Sequence, residues 1–89
     1  MSAQWRSYPI HSGNIPHGPG VFLVADADGA VLIYREAADM SRWPSTVSPE
    51  DWRLRGLSRA ATLMVALEKD AGARDGLRAS LARVYGLGV

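Results

Sequence analysis

Two short apolar runs stand out in the first half of this chain. Val21–Val24 and Val31–Tyr34 are β-branched or aromatic almost throughout, which is strand composition. Between them Ala25-Asp26-Ala27-Asp28-Gly29 reads as a hairpin connection, with Gly29 free to take a positive φ. Neither run alternates apolar with polar. A strand that is apolar on both faces is usually covered on both faces, so the hairpin over residues 20–35 is expected inside the molecule rather than as an open ribbon.

The flanking segments follow different rules. Residues 1–19 hold Pro9, Gly13, Pro16, Gly18 and Pro19 and read as an irregular arm, with Trp5, Tyr8, Ile10 and Ile15 as anchors that fold it over the core. Gln4–Ile10 is a candidate edge strand. Ala37–Trp43 reads as a short helix stopped by Pro44. Ser48 is an N-cap candidate, followed by Pro49, Glu50 and Asp51 in a capping-box-like spacing. From there Leu54, Leu57, Ala61, Met64 and Val65 make an apolar stripe, widened by Ala60, Leu63 and Leu67. That spacing predicts one long helix to about Asp70, ending near Gly72. A second helix is expected over Ala73–Tyr85, from Leu77, Leu81, Val84 and Tyr85, with an Asp75–Arg78 pair on its surface and Gly86 as its stop.

The predicted architecture is a single α+β domain over residues 1–89. A hairpin-based antiparallel sheet of two to three strands packs against two C-terminal helices within residues 48–86. A chain of 89 residues buries only roughly 60–65% of its unfolded surface, so a protein partner or self-association is a natural source of extra stability.

Composition narrows the chemistry. Cysteine is absent, which excludes disulfides, cysteine zinc sites and thiol nucleophiles. The net charge of +1 is too small to announce a nucleic-acid binder. Its distribution is uneven: residues 1–44 carry three basic and four acidic side chains, residues 45–89 seven and five. Nine of the ten basic residues are Arg, the side chain suited to phosphate and carboxylate forks. No apolar run approaches the ~20 residues needed to span a bilayer, and Met1-Ser2-Ala3-Gln4-Trp5-Arg6 lacks a signal-peptide core, so a cytoplasmic protein is expected.

Few groups are spaced for catalysis. His11 and His17 lie in a Gly/Pro-rich loop without a third ligand nearby, and no metal site is assigned to them. Asp26 and Asp28 lack the ligand series of a calcium loop and read as turn residues. There is no phosphate-binding Gly-rich loop and no dinucleotide fingerprint. Arg53, Arg55 and Arg59, with Arg35 and Arg42 upstream, could form a phosphate-facing patch, and Trp43 or Trp52 could stack on a base. Trp5, Trp43 and Trp52 are many for so short a chain, and Trp is enriched among the residues that dominate protein interfaces.

Residues 16–43, from the Pro19-Gly20-Val21-Phe22 strand through the Asp28-Gly29 turn to Arg42-Trp43, resemble the first half of a GIY-YIG endonuclease domain, in the form that opens the UvrC repair nuclease. The resemblance implies a first motif at Gly20-Val21-Phe22, where Phe22 keeps the ring of the family's Tyr and loses its hydroxyl. The second motif falls on Ile33-Tyr34-Arg35, out of register with the family's Tyr and Gly. The family's phosphate-stabilising Arg falls on Trp43, with Arg42 beside it. Glu68 is the only candidate for the metal-binding Glu that the family carries on a later helix. The family's third strand, between its later helices, has no counterpart in this reading of residues 45–89. Weak catalytic candidates are therefore Tyr34, Arg42 and Glu68, and magnesium is the cofactor the nuclease reading would bring; otherwise none is called for.

Two functions follow. The first is a small non-catalytic interaction protein, an adaptor or inhibitor of the kind phages and mobile elements encode, using Trp43, Trp52, Leu87 and Val89 against a protein partner or itself. The alternative is a degenerate GIY-YIG-like domain that binds DNA through Arg35, Arg42, Arg53, Arg55 and Arg59, with weak or no metal-dependent cleavage.

Overall fold

In the computed structural model, which describes residues 4–86, the hairpin forms one side of a larger sheet. Strands β1 (Arg6–Pro9), β2 (Gly20–Asp26), β3 (Val31–Ala37) and β4 (Ala60–Leu67) form one four-stranded antiparallel sheet in the order β1-β4-β2-β3. Helix α1 (Pro49–Leu54) precedes β4, and helix α2 (Ala71–Tyr85) follows it. The α+β class is as the sequence implies. The sheet has four strands where two to three are expected, and residues 48–86 hold two helices, the first short and separated from the second by β4.

The double cover predicted for β2 is present: Val21, Phe22, Leu23 and Val24 are all buried. Phe22, Val24 and Ile33 face a layer made by the 3-10 segment Met40–Thr46, the short 3-10 turn Leu57–Arg59 and part of the N-terminal arm. Val21, Leu23 and Tyr34 face α2 through Leu81 and Leu77. The arm does fold over the core, with Tyr8, Ile10 and Ile15 on the first face and Trp5 on the second. At the hairpin, the Asp26 carboxylate accepts from the amides of Asp28 and Ala30 at 2.9 and 3.0 Å, and Gly29 takes φ +85°, so the two aspartates are turn residues.

The long helix over residues 48–70 does not exist. Its start is as expected: the Ser48 hydroxyl accepts from the Asp51 amide at 3.1 Å, with Pro49 in the first turn. But Gly56 adopts φ +67°, a left-handed conformation that ends helices, and α1 stops at Leu54. Ala60–Leu67 then runs as an inner strand between β1 and β2. An unbroken apolar run satisfies a doubly covered strand as well as a buried helix. This also supplies a strand between α1 and α2, where none had been expected.

Smaller boundaries shift for local reasons. The segment after β3 is a 3-10 run over Met40–Thr46, capped by Asp39, and Pro44 lies inside it instead of ending it. Asp70 opens α2, its carboxylate accepting from the Ala73 amide at 2.8 Å, and Gly72 falls within the first turn. Arg78 pairs with Glu36 of β3 at 3.5 Å, not with Asp75. Arg74 fixes α2 more firmly: Nε donates to Glu36 at 2.8 Å, and Nη1 donates to the carbonyls of Glu68 and Lys69 at 3.0 and 2.9 Å. At the other end the Tyr34 hydroxyl donates to the Gly86 carbonyl at 2.7 Å. No helix among the described residues is long and apolar enough to cross a membrane.

Candidate functional site

The layer over the first sheet face is built around two tryptophans. Asp39 caps the 3-10 segment by accepting from the Ser41 amide at 3.1 Å, which aims Trp43 down onto the sheet. The Trp43 ring meets Phe22 at a centroid distance of 5.4 Å, and only 3% of the residue is exposed. The Ser48 cap sets α1 so that Trp52 lies across Trp43, with centroids 5.9 Å apart and ring planes inclined by 17°. Trp52 keeps 36% of its surface exposed. Gly56 then turns the chain back and Leu57 closes the base of the layer. Beside the stacked pair is a concavity of about 200 Å³ lined by Ile10, His11, Trp43, Pro44, Trp52, Leu57, Ser58 and Ala60.

The two tryptophans thus have different places. Trp43 is core, and Trp52 is the surface that Trp43 supports. The other residues read as interface candidates, Leu87 and Val89, lie outside the described residues.

The arginines are dispersed around this layer. Arg42, Arg53 and Arg59 are exposed and Arg55 half-buried. Because α1 ends early, Arg55 and Arg59 do not share a helix face: Arg55 follows α1, and the Arg59 guanidinium folds back over Gly56. Arg35 is engaged within the protein, donating to the Tyr34 carbonyl at 2.7 Å and approaching the Asp51 carboxylate at 3.9 Å.

The catalytic candidates are not brought together. Tyr34 faces α2, where its hydroxyl is taken by Gly86, whereas Arg42 belongs to the layer on the opposite face. Glu68 follows β4 in the connection to α2 rather than on a helix, and its carboxylate accepts from the Asp70 amide at 3.3 Å. Phe22, Ile33 and Trp43, onto which the resemblance would place the family's motif positions, are sealed in the core. Among the described residues no group of three or more His, Asp or Glu side chains could hold a metal ion.

One cluster escaped the sequence reading because its members are far apart in the chain. His17 Nδ1 lies 3.0 Å from Ser41 Oγ and 3.5 Å from Asp39 Oδ1. The residue types are those of a hydrolase relay, but the geometry is not. Both oxygens meet the same ring nitrogen, and the Ser41 hydroxyl donates to Asp39 at 2.7 Å, so no base is aligned to take its proton. The hydrogen bond from the Ser41 hydroxyl, helped by the Ser41 amide, His17 and Gly18, holds the Asp39 carboxyl below the usual carboxylate range. The cluster is a helix cap and a tie to the N-terminal arm.

A wider groove of about 710 Å³ lies between α2 and the β1–β4 side of the sheet, lined among others by Arg6, Tyr8, Leu67, Glu68, Gly76 and Leu77. Its one Arg and one Glu leave it without a dominant charge. Comparison with known protein families, curated proteins and solved structures finds no match to this chain.

Proposed function

We propose that this protein is a small non-catalytic interaction protein, an adaptor or inhibitor, that engages another protein through the surface around Trp52. The observation that carries this reading is a large aromatic side chain left over a third exposed, stacked on a buried partner ring and bordering an apolar concavity. Preset aromatic side chains beside a pocket are the usual anchors of protein interfaces, because little rotamer freedom remains to be lost on binding. The dispersal of Tyr34, Arg42 and Glu68 favours a role without catalysis. The test is quantitative affinity capture with the parent and Trp52→Ala, followed by titration of the purified captured protein. The complex should be lost in Trp52→Ala while its circular dichroism spectrum is retained. Equal binding by the two proteins would remove the reading.

A second reading is the GIY-YIG-like domain that binds DNA. It is supported by the order strand, strand, helix, strand, helix from β2 to α2, which supplies the third strand the resemblance calls for. On this reading Arg42, Arg53, Arg55 and Arg59 contact phosphates, and cleavage is absent or weak because the family's Tyr and Arg positions hold Phe22 and Trp43. Fluorescence anisotropy with single-stranded, duplex and branched DNA at two salt concentrations decides it. Binding that weakens steeply with salt supports it, and no binding at low salt excludes it.

A further inference from the structure

The surface around Trp52 has a chemistry that specifies its occupant. We propose that the partner offers an acidic segment bearing one large apolar side chain, which enters the concavity beside Trp52. This rests on the reading of Trp52 as a protein-contact surface and adds the character of what it contacts.

The concavity supplies the apolar half of the argument. Its walls are Ile10, Trp43, Pro44, Trp52, Leu57 and Ala60, with His11 and Ser58 the only polar side chains and no carboxylate among its lining residues. At about 200 Å³ it is a seat for one side chain, not a trough for a whole strand or helix.

The charges around it supply the other half. Arg42, Arg53 and Arg59 are exposed and adjoin in the chain the lining residues Trp43, Trp52 and Ser58, against one acidic neighbour, Asp51 beside Trp52. Among the described residues none of Arg42, Arg53, Arg55 and Arg59 makes an ion pair. Only two carboxylates, Glu50 and Asp51, lie in the same stretch of chain, and Asp51 is turned toward Arg35. An apolar seat in a basic setting is the arrangement in which a partner's apolar side chain supplies affinity while acidic flanks set register and exclude basic competitors.

The same geometry favours a peptide over a nucleic acid. Single-stranded nucleic acid is held by aromatic faces open to successive bases. Here Trp43 is sealed and Trp52 lies against it, so one face of the pair is already used.

The test is a titration of the isotopically labelled full chain, followed by amide and indole NMR shifts. The probes are short synthetic peptides: one with a single central Phe in Asp/Glu flanks, one with the same Phe in Ser/Gly flanks, one with it in Lys flanks, and one acidic peptide with Ala at the centre. A single-stranded DNA oligonucleotide is titrated in parallel. The acidic anchored peptide should shift the Trp52 indole and the Ala60 amide, and should bind about tenfold more tightly than its neutral counterpart, a margin expected of a few exposed ion pairs. Arg53→Glu should remove that margin without moving the rest of the spectrum, and added salt should narrow it. Equal binding of all three anchored peptides at Trp52 overturns the acidic assignment while leaving the protein-contact reading in place. Equal binding of the acidic peptide with Ala at its centre overturns the anchored seat. Shifts at Trp52 from the oligonucleotide alone, or from none of the probes, overturn the inference, the former together with the reading beneath it.

Discussion

Replacing each of the two stacked tryptophans by Ala should separate the fold from the surface it carries. Trp43 is 3% exposed and touches Phe22 on one side and Trp52 on the other. Truncating a buried Trp costs about 3–5 kcal/mol in transfer and cavity terms. A domain of 89 residues has about 4–13 kcal/mol to lose, so Trp43→Ala should leave it marginal or unfolded. Trp52 is already 36% exposed. Burying a full large side chain is worth about 1.5–3 kcal/mol, and roughly two thirds of that applies here, so Trp52→Ala should cost about 1–2 kcal/mol. Urea denaturation followed by far-UV circular dichroism reads both values without relying on the fluorescence of the removed rings. The midpoint should fall much further for Trp43→Ala than for Trp52→Ala at unchanged slope. Coincident midpoints would refute the assignment of Trp43 to the core and of Trp52 to the surface. The result also fixes how a binding experiment is read: loss of a complex in Trp43→Ala reports unfolding, whereas loss in Trp52→Ala reports the contact.

Four further predictions test the frame that holds this surface. A Cβ at Gly20 would run into the Ala66 carbonyl oxygen and lie 3.0 Å from Leu67 Cα, both backbone, so Gly20→Ala should force β2 from β4 and lower the urea-derived stability by about 1–3 kcal/mol. Among the described residues a Cβ at Gly76 of α2 would meet nothing within 4 Å, so Gly76→Ala should raise the urea midpoint by the equivalent of about 0.5–1 kcal/mol. Tyr34→Phe removes the bond to the Gly86 carbonyl and should cost about 0.5–1.5 kcal/mol, with faster amide exchange confined to the last turn of α2. The hydrogen bond from Arg74, aided by the charges of Arg74 and Arg78, holds the Glu36 carboxyl below its ordinary value; its stabilisation is full above the unfolded value of about 4.3 and is lost as the pH falls through the folded one, so the stability gap between the parent and Glu36→Gln should close on acidification.

What the sequence discloses and what it conceals here divide along one line, the distance over which a residue's conformation is decided. The hairpin is legible because its evidence is local: Val21–Val24 are apolar at every position, and the Asp26–Gly29 turn carries its own hydrogen bonds. The Ser48-Pro49 start of α1 is legible for the same reason. Ala60–Leu67 is not. Its Ala, Leu and Met residues suit a helix, and only pairing with β1 on one side and β2 on the other makes it a strand. The local hint was Gly56, whose positive φ ends α1 before the apolar run begins.

The site divides the same way. The resemblance alone links Tyr34, Arg42 and Glu68, yet Ile33 and Tyr34 face opposite sides of the sheet and each candidate falls in a separate environment. The residues that do meet, Ile10, Trp43, Trp52, Leu57 and Ala60, come from the arm, the 3-10 segment, α1, the second 3-10 turn and β4. No spacing rule connects them. They converge because β4 lies inside the sheet and carries α1 and the turn after it back across the face where Phe22 already holds Trp43. The surface around Trp52 is therefore a product of the strand that the sequence concealed, and a substitution that displaces β4, such as Gly20→Ala, should shift the Trp52 indole NMR resonance although it changes none of the three tryptophans.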